Sequence, residues 1–540
     1  MAKLLIGGIF SLAATLAVQP CARAQSPSNL PRLQLSDFQY LGAFRVPSST
    51  FGASNMNYSE GPIEYNASNH SLFMVGHSHH QAIAEFAVPE LVHSSTVTDL
   101  NMSPGPLQVF STVLDRVNGG NPQDINRISG MELLGGTSLL VNGYEYYDAP
   151  ADNTHTSLVI KNSSNIASSS IEGFYRLPGS AHASGWISPV PPEWRTLLGG
   201  THITGHSSGI PIIGRTSVGP SAFSFTPGTI VQSNPVPDPF PTNTLLDFSL
   251  NHPLHTDLSN NSLTNNLWTH LSRAVYGFIV PGTRTYVTLG YSGGHNSGVC
   301  YKCTQNNNNT CGGYCAPDAE DYYHYYWLWD LNDLLAVKNG DRSSYDVMPY
   351  DYGVFPTPFS TSQLGGGSFD PESGKLYLTV QRADENQGQY SNPPIVVVYQ
   401  FNPSSDTRRT PGDWDGDGKT DFTVIRPAAN AQWFTRYSSS DSTRVSHWGY
   451  NWADLFLDID SNGDGKSDQN ATRARTPSSN IEWYTLQSPT YSPSQALWGE
   501  PGDIPLSADF DGDGTSDLVI YRPSDGTWWI VRSRDGFLHK

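Results

Sequence analysis

An aspartate- and glycine-rich motif occurs three times near the end of this 540-residue chain. Each copy reads D-x-[DN]-G-D-G-x-x-D, and the copies begin at Asp413, Asp460 and Asp509, so that they lie 47 and 49 residues apart. Apolar, β-branched runs such as Phe-Thr-Val-Ile follow the motif and are typical of strands. The regular spacing predicts repeated units of β-structure, with one motif in each unit.

The motif predicts a metal site, because its positions 1, 3, 5 and 9 all carry side-chain oxygen atoms. Alternate side chains point the same way and the glycines allow a tight turn, so the carboxylates converge. Such a cluster is repulsive unless a hard cation neutralises it, and oxygen donors at this density favour Ca²⁺ over zinc or copper. The predicted ligands are Asp413, Asp415, Asp417, Asp421, Asp460, Asn462, Asp464, Asp468, Asp509, Asp511, Asp513 and Asp517.

Two other interpretations of the motif are weaker. An EF-hand requires a glutamate at position 12 and flanking helices, whereas position 12 is Val424, Ala471 or Ile520 in this chain. A turn rich in Asp and Gly that binds no metal would not need three copies at a regular spacing. In the second copy Asn462 replaces a carboxylate, so we expect calcium to bind more weakly there.

The first copy, Asp-Trp-Asp-Gly-Asp-Gly-Lys-Thr-Asp-Phe-Thr-Val-Ile-Arg-Pro, is followed by Trp433 and by Trp448-Gly449. This pattern resembles the FG-GAP/VCBS-type repeats of bacterial secreted proteins, and the resemblance runs from Gly412 to about Phe537. It implies the aspartate ligands above, bound Ca²⁺ and an extracellular location, and it implies nothing about activity. We therefore expect a smaller β domain of three such repeats at 412–540, joined by a linker at 403–411.

The N-terminus predicts secretion. Lys3 precedes an apolar run from Leu4 to Val18, and Ala22-Arg23-Ala24 offers the small residues that a signal peptidase recognises. This run is shorter than the segment that a membrane-spanning helix usually needs. A core helix of the folded protein is the alternative, but it would not need the preceding lysine or the Ala-Arg-Ala sequence that follows. We expect residues 1–24 to be a signal peptide. The mature protein is predicted to be an extracellular or periplasmic monomer without a membrane span.

Residues 36–402 are predicted to be all-β. Glycines and prolines, 50 and 39 of them in the whole chain, separate many short strand-like runs. Gly61–Val75 and Gly367–Val380 each contain an apolar strand, a polar turn and a second apolar strand, like the hairpins of propeller blades. At about 45–50 residues a blade, the region predicts a β-propeller of about seven blades. A β-sandwich with long loops is the alternative.

Charge and cysteine content restrict the partners and the compartment. A net charge of −19 speaks against a nucleic acid partner, which requires a basic face. The four cysteines beyond the predicted signal peptide lie in one segment, at Cys300, Cys303, Cys311 and Cys315. In an oxidising compartment two local disulfides are favoured, and a zinc site is the alternative.

Side chains suited to acid–base chemistry follow several strand-like runs of 36–402. Polysaccharide lyases built on propellers use such a set, in which His and Tyr move a proton beside a uronate carboxylate that Arg neutralises. Each residue could equally be an ordinary loop side chain, because an analogy of fold is weak evidence of function. The candidate catalytic residues are His77, His79, Tyr144 and Arg215, with Arg382 at a similar strand end.

Two functions are compatible with these observations. The first is a secreted calcium-binding propeller that binds an extracellular polysaccharide or a cell-surface ligand. The second is a polysaccharide-degrading enzyme, a lyase or a glycosidase-like one, with the repeats as an accessory module. The sequence lacks the motifs of serine hydrolases, zinc proteases and nucleotide-binding enzymes, so the first function is favoured. Convergence of His, Tyr and Arg at one funnel would favour the second.

Overall fold

The computed structural model describes residues 27–207, 214–232, 235–359, 361, 363–401, 410–417, 419–450, 454–462, 465–474, 480–488, 490–510, 515–533 and 538–539. The predicted signal peptide at 1–24 lies outside this range, as do residues 403–409 of the predicted linker. Three predicted calcium ligands, Asp464, Asp511 and Asp513, also lie outside the described residues. None of the described helices has the length and hydrophobicity needed to cross a membrane.

Five four-stranded antiparallel sheets form the region before residue 402. Their strand orders are β2-β3-β4-β5, β6-β7-β8-β9, β10-β11-β12-β13, β14-β15-β18-β19 and β20-β21-β22-β1. The strands are β1 (Gln39–Arg45), β2 (Ile63–Asn66), β3 (Ser71–Val75), β4 (Ala82–Ala87), β5 (Pro106–Thr112), β6 (Arg127–Leu134), β7 (Ser138–Tyr144), β8 (His155–Ile160), β9 (Ile171–Arg176), β10 (Trp186–Pro189), β11 (His202–Gly205), β12 (Ala222–Phe225), β13 (Asn243–Leu246), β14 (Arg273–Ile279), β15 (Thr285–Gly293), β16 (Cys300–Tyr301), β17 (Tyr314–Cys315), β18 (Tyr322–Asp330), β19 (Asp351–Val354), β20 (Leu364–Asp370), β21 (Lys375–Val380) and β22 (Ile395–Gln400).

Helices are short and lie in the connections between strands. The α-helices are α1 (Pro192–Leu198), α2 (Gly228–Gln232) and α3 (Leu331–Lys338). The side chain of Asp330 caps the N-terminus of α3 by accepting a hydrogen bond from the backbone N–H of Asn332. Single turns of 3₁₀-helix occur at Pro27–Asn29, Leu35–Asp37, Val97–Asp99, Leu114–Arg116, Ser163–Ser168 and Ser180–Ala183.

The first strands of the five sheets form a closed ring. Each of β2, β6, β10, β14 and β20 contacts the first strands of the two neighbouring sheets. Hydrogen bonds join neighbouring sheets within this ring: the Tyr65 N–H donates to Ser368 Oγ at 2.9 Å, and the Phe369 N–H donates to the Tyr276 hydroxyl at 2.8 Å. The N-terminal strand β1 completes the last sheet by pairing with β22. This arrangement confirms the β-propeller predicted from the sequence.

The described part of 36–402 contains five four-stranded sheets and the two-stranded β16–β17 hairpin, where the sequence predicted about seven blades. The first strands begin at residues 63, 127, 186, 273 and 364, so successive sheets start 64, 59, 87 and 91 residues apart. The connections are long, because helices and a cysteine-containing hairpin add residues without adding strands to the sheets. The count of about seven blades is therefore not confirmed by the described residues, because the prediction assumed a shorter repeat.

Glycines allow the sheets to approach closely at the ring. A Cβ atom at Gly130 would lie 1.9 Å from the carbonyl oxygen of Gly185, and one at Gly367 would lie 2.7 Å from the ring of Tyr276. A larger residue at either position would force neighbouring sheets apart. Large aromatic side chains, including Trp186, Trp268, Trp327 and Trp329, fill the space between sheets and are buried.

Three further sheets follow in the C-terminal region. Tryptophans pack between the repeats, where Ile481, Trp483 and Ile520 form a small buried cluster. The strands are β23 (Phe422–Arg426), β24 (Gln432–Arg436), β25 (Thr443–His447), β26 (Leu455–Ile459), β27 (Asp468–Ala474), β28 (Ile481–Gln487), β29 (Ser492–Leu497), β30 (Ile504–Ala508), β31 (Asp517–Arg522), β32 (Thr527–Val531) and β33 (Leu538–His539). Each predicted aspartate loop is therefore followed by a strand. This is expected of a loop between β-strands, whereas an EF-hand loop would be followed by a helix.

Two local cysteine pairs support the disulfide prediction. Cys300 and Cys303 are bonded, as are Cys311 and Cys315, with Cα–Cα distances of 5.9 and 6.4 Å. The two pairs lie side by side, because Cys300 and Cys315 face each other across the short hairpin of β16 and β17. The sulfurs of Cys303 and Cys315 are 3.4 Å apart. Each bridge closes a short loop beside one strand of this hairpin, Cys300–Cys303 at β16 and Cys311–Cys315 at β17.

Candidate functional site

The long loops of the five sheets meet at one end of the ring. In every sheet the first strand starts at this end and the antiparallel second strand returns to it. The loops after the second strands carry the candidate residues: His77 and His79 follow β3, Tyr144 ends β7, Arg215 lies between β11 and β12, and Arg382 follows β21. The topology thus gathers onto one face residues that are up to about 300 positions apart in the sequence.

A narrow funnel opens on this face at the axis of the ring. Residues from all five sheets line it, because each sheet contributes the start of its first strand. The lining residues are Glu60, Gly61, Pro62, Gln81, Arg127, Ile128, Ser129, Tyr144, Trp186, His206, Arg273, Ala274, Val275 and Gly365. Among the described lining residues two are arginines and one, Glu60, is a carboxylate, so the local charge they create is positive although the chain as a whole is acidic.

Arg273 holds the central position of the funnel. Its Nη2 donates to the hydroxyl of Tyr144 at 3.2 Å, and its guanidinium also hydrogen-bonds with Tyr291. Its Nε is buried and has no hydrogen-bond partner. Among the described residues no carboxylate forms an ion pair with Arg273. Burial would lower its pKa, but Tyr144 and Tyr291 outweigh that effect and the pKa is raised, so the guanidinium is a permanent positive charge that lacks an anion.

Tyr144 and His206 are held beside Arg273 by buried polar contacts. Their rings meet edge to face with centroids 4.8 Å apart. His206 Nδ1 lies 3.2 Å from the carbonyl oxygen of Ala181, which can only accept, so Nδ1 carries the proton of the neutral ring. Burial, reinforced by the charge of Arg273, lowers the pKa of His206 to about 3. His206 is therefore neutral at physiological pH.

A network centred on Asn142 fixes this part of the funnel. The Asn142 amide donates to the Gly185 carbonyl at 3.0 Å and to Thr204 Oγ1 at 3.1 Å, and it accepts from Ser157 Oγ at 2.6 Å. Asn142 is fully buried and lies on β7, two residues before Tyr144. Because the network joins the second sheet to the third, it sets the position of Tyr144 relative to the third sheet, which carries His206.

His77 lies near the rim of the funnel with a second charged group. Glu60 lines the funnel and forms an ion pair with Arg382 at 3.7 Å. The Arg382 guanidinium lies over the ring of Tyr58, and Tyr58 meets His77 edge to face at 5.8 Å. Burial and the neighbouring His80 and His79 lower the pKa of His77, whereas Glu60 opposes this effect. Both Glu60 and Arg382 are about half exposed, so this pair is open to a ligand.

Of the four residues predicted to be catalytic, Tyr144 lines the funnel. His77 and His79 belong to the neighbouring rim loop, and Arg215 donates to the carbonyl oxygen of Ala149 on the loop that follows Tyr144. The predicted set did not include Arg273, His206 or Arg127. Arg273 and Arg127 are the first residues of β14 and β6. This position marks a residue as lining the funnel only once it is known which strands form the ring and at which end of the ring they begin.

A pair of buried carboxyl groups lies farther along the ring. Glu64 on β2 accepts hydrogen bonds from the Leu133 N–H and from Ser368 Oγ, both at 2.9 Å. Glu132 on β6 lies 3.3 Å from His202 Nε2. Burial raises the pKa of Glu132 to about 8, and burial together with Glu132 raises the pKa of Glu64 well above its usual range. Burial lowers the pKa of His202 to about 4, so Glu132 and His202 meet as neutral groups at pH 7.

The first aspartate loop has the geometry of a cation site. Asp413, Asp415 and Asp421 each place one carboxylate oxygen within 4.8 Å of the others. Asp413 and Asp421 are buried, and their carboxylates also accept backbone hydrogen bonds, from Gly416 at 2.6 Å and from Trp414 at 2.9 Å respectively. Asp417 lies in the same loop and accepts from Ser438 Oγ at 2.9 Å. Three convergent carboxylates fit a hard divalent cation such as Ca²⁺.

All three loops hold their last aspartate in the same way. One carboxylate oxygen of Asp421 accepts from the Ser438 N–H at 2.7 Å, and Asp468 and Asp517 accept from Ser488 at 2.6 Å and Ser533 at 2.7 Å. The other oxygen accepts in each case from the residue after the first aspartate of the motif. These serines were missed by the sequence analysis, although each comes five residues after the repeated tryptophan.

Successive loops are joined to one another. The carbonyl oxygen of Asp413 accepts from the Ser467 N–H of the second loop at 2.6 Å, and that of Asp460 accepts from the Ser516 N–H of the third loop at 2.7 Å. Lys466 of the second loop also donates to the carbonyl oxygen of Asp415 at 2.7 Å. The first ligand of one loop is therefore held by the backbone of the next repeat.

The chain matches no protein-family model and no curated protein. Among solved structures it is similar to the propeller of Dos1, with 10% identity over 49% of this chain and 71% of that chain and a TM-score of 0.17. It is also similar to Porphyromonas gingivalis dipeptidyl peptidase 4, with 8% identity over 87% of this chain and 59% of that one and a TM-score of 0.19. A third is an apocarotenoid oxygenase of Synechocystis, with 11% identity over 76% and 69% of the two chains and a TM-score of 0.19. TM-scores this low support no conclusion about the fold or the activity of this chain. The assignment of a propeller therefore depends only on the ring of strands described above.

Proposed function

We propose that this protein is a secreted β-propeller that binds an acidic extracellular polysaccharide through its axial funnel. One observation carries the proposal: the partly buried guanidinium of Arg273 has no carboxylate partner among the described residues, and its buried Nε has no hydrogen-bond partner. A buried charge without a counter-ion is costly, and an anion from outside would remove that cost. The planar fork of arginine matches a carboxylate particularly well.

The rest of the funnel suits a sugar that carries a carboxylate. Arg127 offers a second guanidinium, which donates to its neighbouring Asn126 carbonyl and lies over the ring of Tyr146. Tyr144 and the exposed Tyr146 present aromatic faces, which bind the apolar face of a sugar ring and keep a polar hydroxyl free. Gln81 and Ser129 add hydrogen-bonding groups. The ligand class is therefore a uronate-containing polysaccharide, free or on a cell surface.

Calcium binding by the C-terminal loops belongs to the same proposal. The described ligands of the first loop already converge, and the repeated contacts of Asp421, Asp468 and Asp517 support the same geometry in all three loops. We propose that Ca²⁺ stiffens these FG-GAP/VCBS-like repeats. Three ions would also change the formal charge from −19 to −13, which lowers the long-range repulsion of an acidic polymer.

Binding measurements on purified protein test the funnel. Titration calorimetry would compare polygalacturonate, alginate and hyaluronan with neutral dextran, all at the same ionic strength and calcium concentration. We expect binding of at least one acidic polymer and none of dextran. The Arg273→Met variant should bind at least about 10-fold more weakly, because a hydrogen bond to a charged group contributes about 1.5–3 kcal/mol. Arg127→Met should weaken binding less, because the Arg127 guanidinium already donates to the Asn126 carbonyl.

The matched control is Arg436→Met, which removes an exposed arginine that pairs with Asp441 in the C-terminal region. It lowers the net charge equally and should leave the affinity unchanged. Thermal melts would show that Arg273→Met is folded. Equal affinities for Arg273→Met, Arg127→Met and the wild type would contradict the proposal, as would binding of dextran as tight as that of the acidic polymers.

A further inference from the structure

We propose that the funnel also cleaves its ligand, as a lyase that breaks a uronate glycosidic bond by β-elimination with Tyr144 as the proton-transferring residue. This inference rests on the uronate binding proposed above and adds a chemical step to it. The geometry that carries it is the contact of Tyr144 with Arg273 on one side and with His206 on the other.

The number of carboxylates in the funnel favours β-elimination over hydrolysis of the glycosidic bond. A glycosidase of the usual kind uses two carboxyl groups, one on each side of the scissile bond. Glu60 is the only carboxylate among the described residues that line the funnel, and it already forms an ion pair with Arg382. A lyase needs no second carboxylate. It needs a positive charge for the substrate carboxylate and a nearby group that moves a proton, and Arg273 and Tyr144 meet these two needs.

The step is balanced without an oxidant or a co-reactant. Arg273 neutralises the uronate carboxylate, so the negative charge that develops beside it is stabilised. Tyr144, as the phenolate, takes the proton from C5. The electron pair of that C–H bond forms the C4=C5 double bond, and the C4–O4 bond breaks. The departing O4 oxygen takes the proton from Tyr144, which returns to the phenolate. The products are one reducing end and one unsaturated uronate.

Arg273 can contact both Tyr144 and the substrate carboxylate in this step. Its Nη2 donates to the Tyr144 oxygen at 3.2 Å, and a charged donor at this distance stabilises the phenolate that takes the proton. The guanidinium carries five N–H donors in one plane, so it can hold Tyr144 and a substrate carboxylate together. This double contact places the carboxylate next to the phenol oxygen, which is the arrangement that proton transfer from C5 requires.

His206 acts as a positioning residue. Its ring is buried and neutral, its Nδ1–H donates to the Ala181 carbonyl, and it packs edge to face against Tyr144. A neutral ring adds no second positive charge beside the substrate and limits the rotation of the tyrosine. Loss of this contact should therefore reduce the turnover rate by misplacing the phenol oxygen, with a small effect on binding.

The experiment incubates the full chain with hyaluronan and with mannuronate-rich alginate, two uronate polymers substituted at O4 in which the C5 hydrogen and O4 lie on the same face of the ring, as transfer by a single tyrosine requires. It follows the ultraviolet absorbance of the conjugated C4=C5 product. Wild-type protein should form this product with at least one polymer that it binds. Tyr144→Phe keeps the ring and its packing on His206 but lacks the oxygen. It should lose at least about 100-fold in kcat and bind the polymer within about 3-fold of the wild type.

Two further variants sharpen the assignment. His206→Gln should lower kcat at least about 10-fold and leave KM nearly unchanged, a split that a general loss of folding would not produce. Tyr491→Phe, in the C-terminal region and away from the funnel, is the matched control and should keep full activity.

The outcomes separate the two proposals. Binding without product on every bound polymer would overturn the lyase inference and leave the binding proposal intact. Unchanged turnover in Tyr144→Phe would also overturn it, because another group would then move the proton. Failure to bind any acidic polymer would overturn both proposals together.

Discussion

Replacing Glu132 by glutamine should stabilise the propeller at neutral and alkaline pH. Burial raises the pKa of Glu132 in the folded protein to about 8, from 4.5 in the unfolded chain. The folded state therefore binds this proton more tightly than the unfolded state does. The stability that this carboxyl group contributes is fully present below about pH 4.5 and is lost progressively as the pH rises toward 8. Glutamine has the same shape, can donate to His202 Nε2 in the same way, and does not ionise.

The size of the effect follows from the same two pKa values. At about 1.4 kcal/mol per pKa unit, a rise from 4.5 to about 8 corresponds to roughly 5 kcal/mol of unfolding free energy lost between those pH values. Glu64 on the neighbouring strand β2 adds a second raised carboxyl group, so some pH dependence should survive in the variant. His202 acts in the opposite direction: its pKa is about 4 in the folded protein and 6.5 in the unfolded chain, so its contribution to stability rises with pH between these values and is constant above them.

Urea unfolding followed by tryptophan fluorescence would measure this, at several pH values between about 4.5 and 8.5 and at constant calcium concentration. Across this range the wild type should lose several kcal/mol relative to Glu132→Gln, because the histidines with lowered pKa values contribute equally to the two proteins. The control is Glu90→Gln, because Glu90 is exposed and its replacement should leave the pH dependence unchanged. If Glu132→Gln has the wild-type slope, or is less stable at every pH, then Glu132 is ionised in the folded protein and the reasoning fails.

Three other predictions concern the C-terminal loops and the cysteine hairpin. EDTA should lower the melting temperature, since calcium at about 100 times its Kd adds about 2.7 kcal/mol of stability per site. Asp421→Asn should reduce this shift, and Asp441→Asn should leave it unchanged. A wild-type melting temperature that is the same with and without EDTA would contradict the calcium sites. Asn462→Asp should raise the calcium affinity of the second loop by restoring a carboxylate, as measured by calcium titration calorimetry, and an unchanged affinity would exclude Asn462 as a ligand. Denatured, unreduced protein should show no free thiols from the four cysteines at 300–315 in a thiol-reagent assay, whereas four reactive thiols released by a chelator would indicate zinc instead of disulfides.

Local features of the sequence predicted local features of the structure well. The three aspartate loops precede strands as expected, because their ligands lie within nine residues and the glycines between them set the turn. The cysteine pairs are also local, separated by three and four residues. The hairpins at Ile63–Val75 and Leu364–Val380 likewise form where apolar runs flank a polar turn. In each case the contacts that decide the structure join near neighbours in the chain.

The number of sheets and the composition of the funnel depend on contacts between distant residues. Strand-like runs do not reveal which of them share a sheet, so long connections were counted as blades. Tyr144 and Arg273 are 129 residues apart, and His206 lies on a third sheet. Nothing in the short stretch around any one of them marks it as part of a site.

The amino-acid sequence by itself determined the repeats, their candidate calcium ligands, the β class of the chain and the local pairing of its cysteines, because short-range spacing and side-chain type suffice for these. The tertiary structure alone decided that five sheets close into a ring and that Arg273 meets Tyr144 without a carboxylate partner. It also decided that Glu132 is buried next to a neutral histidine. These properties arise from burial and from the approach of distant strands, and only ring closure brings those strands together.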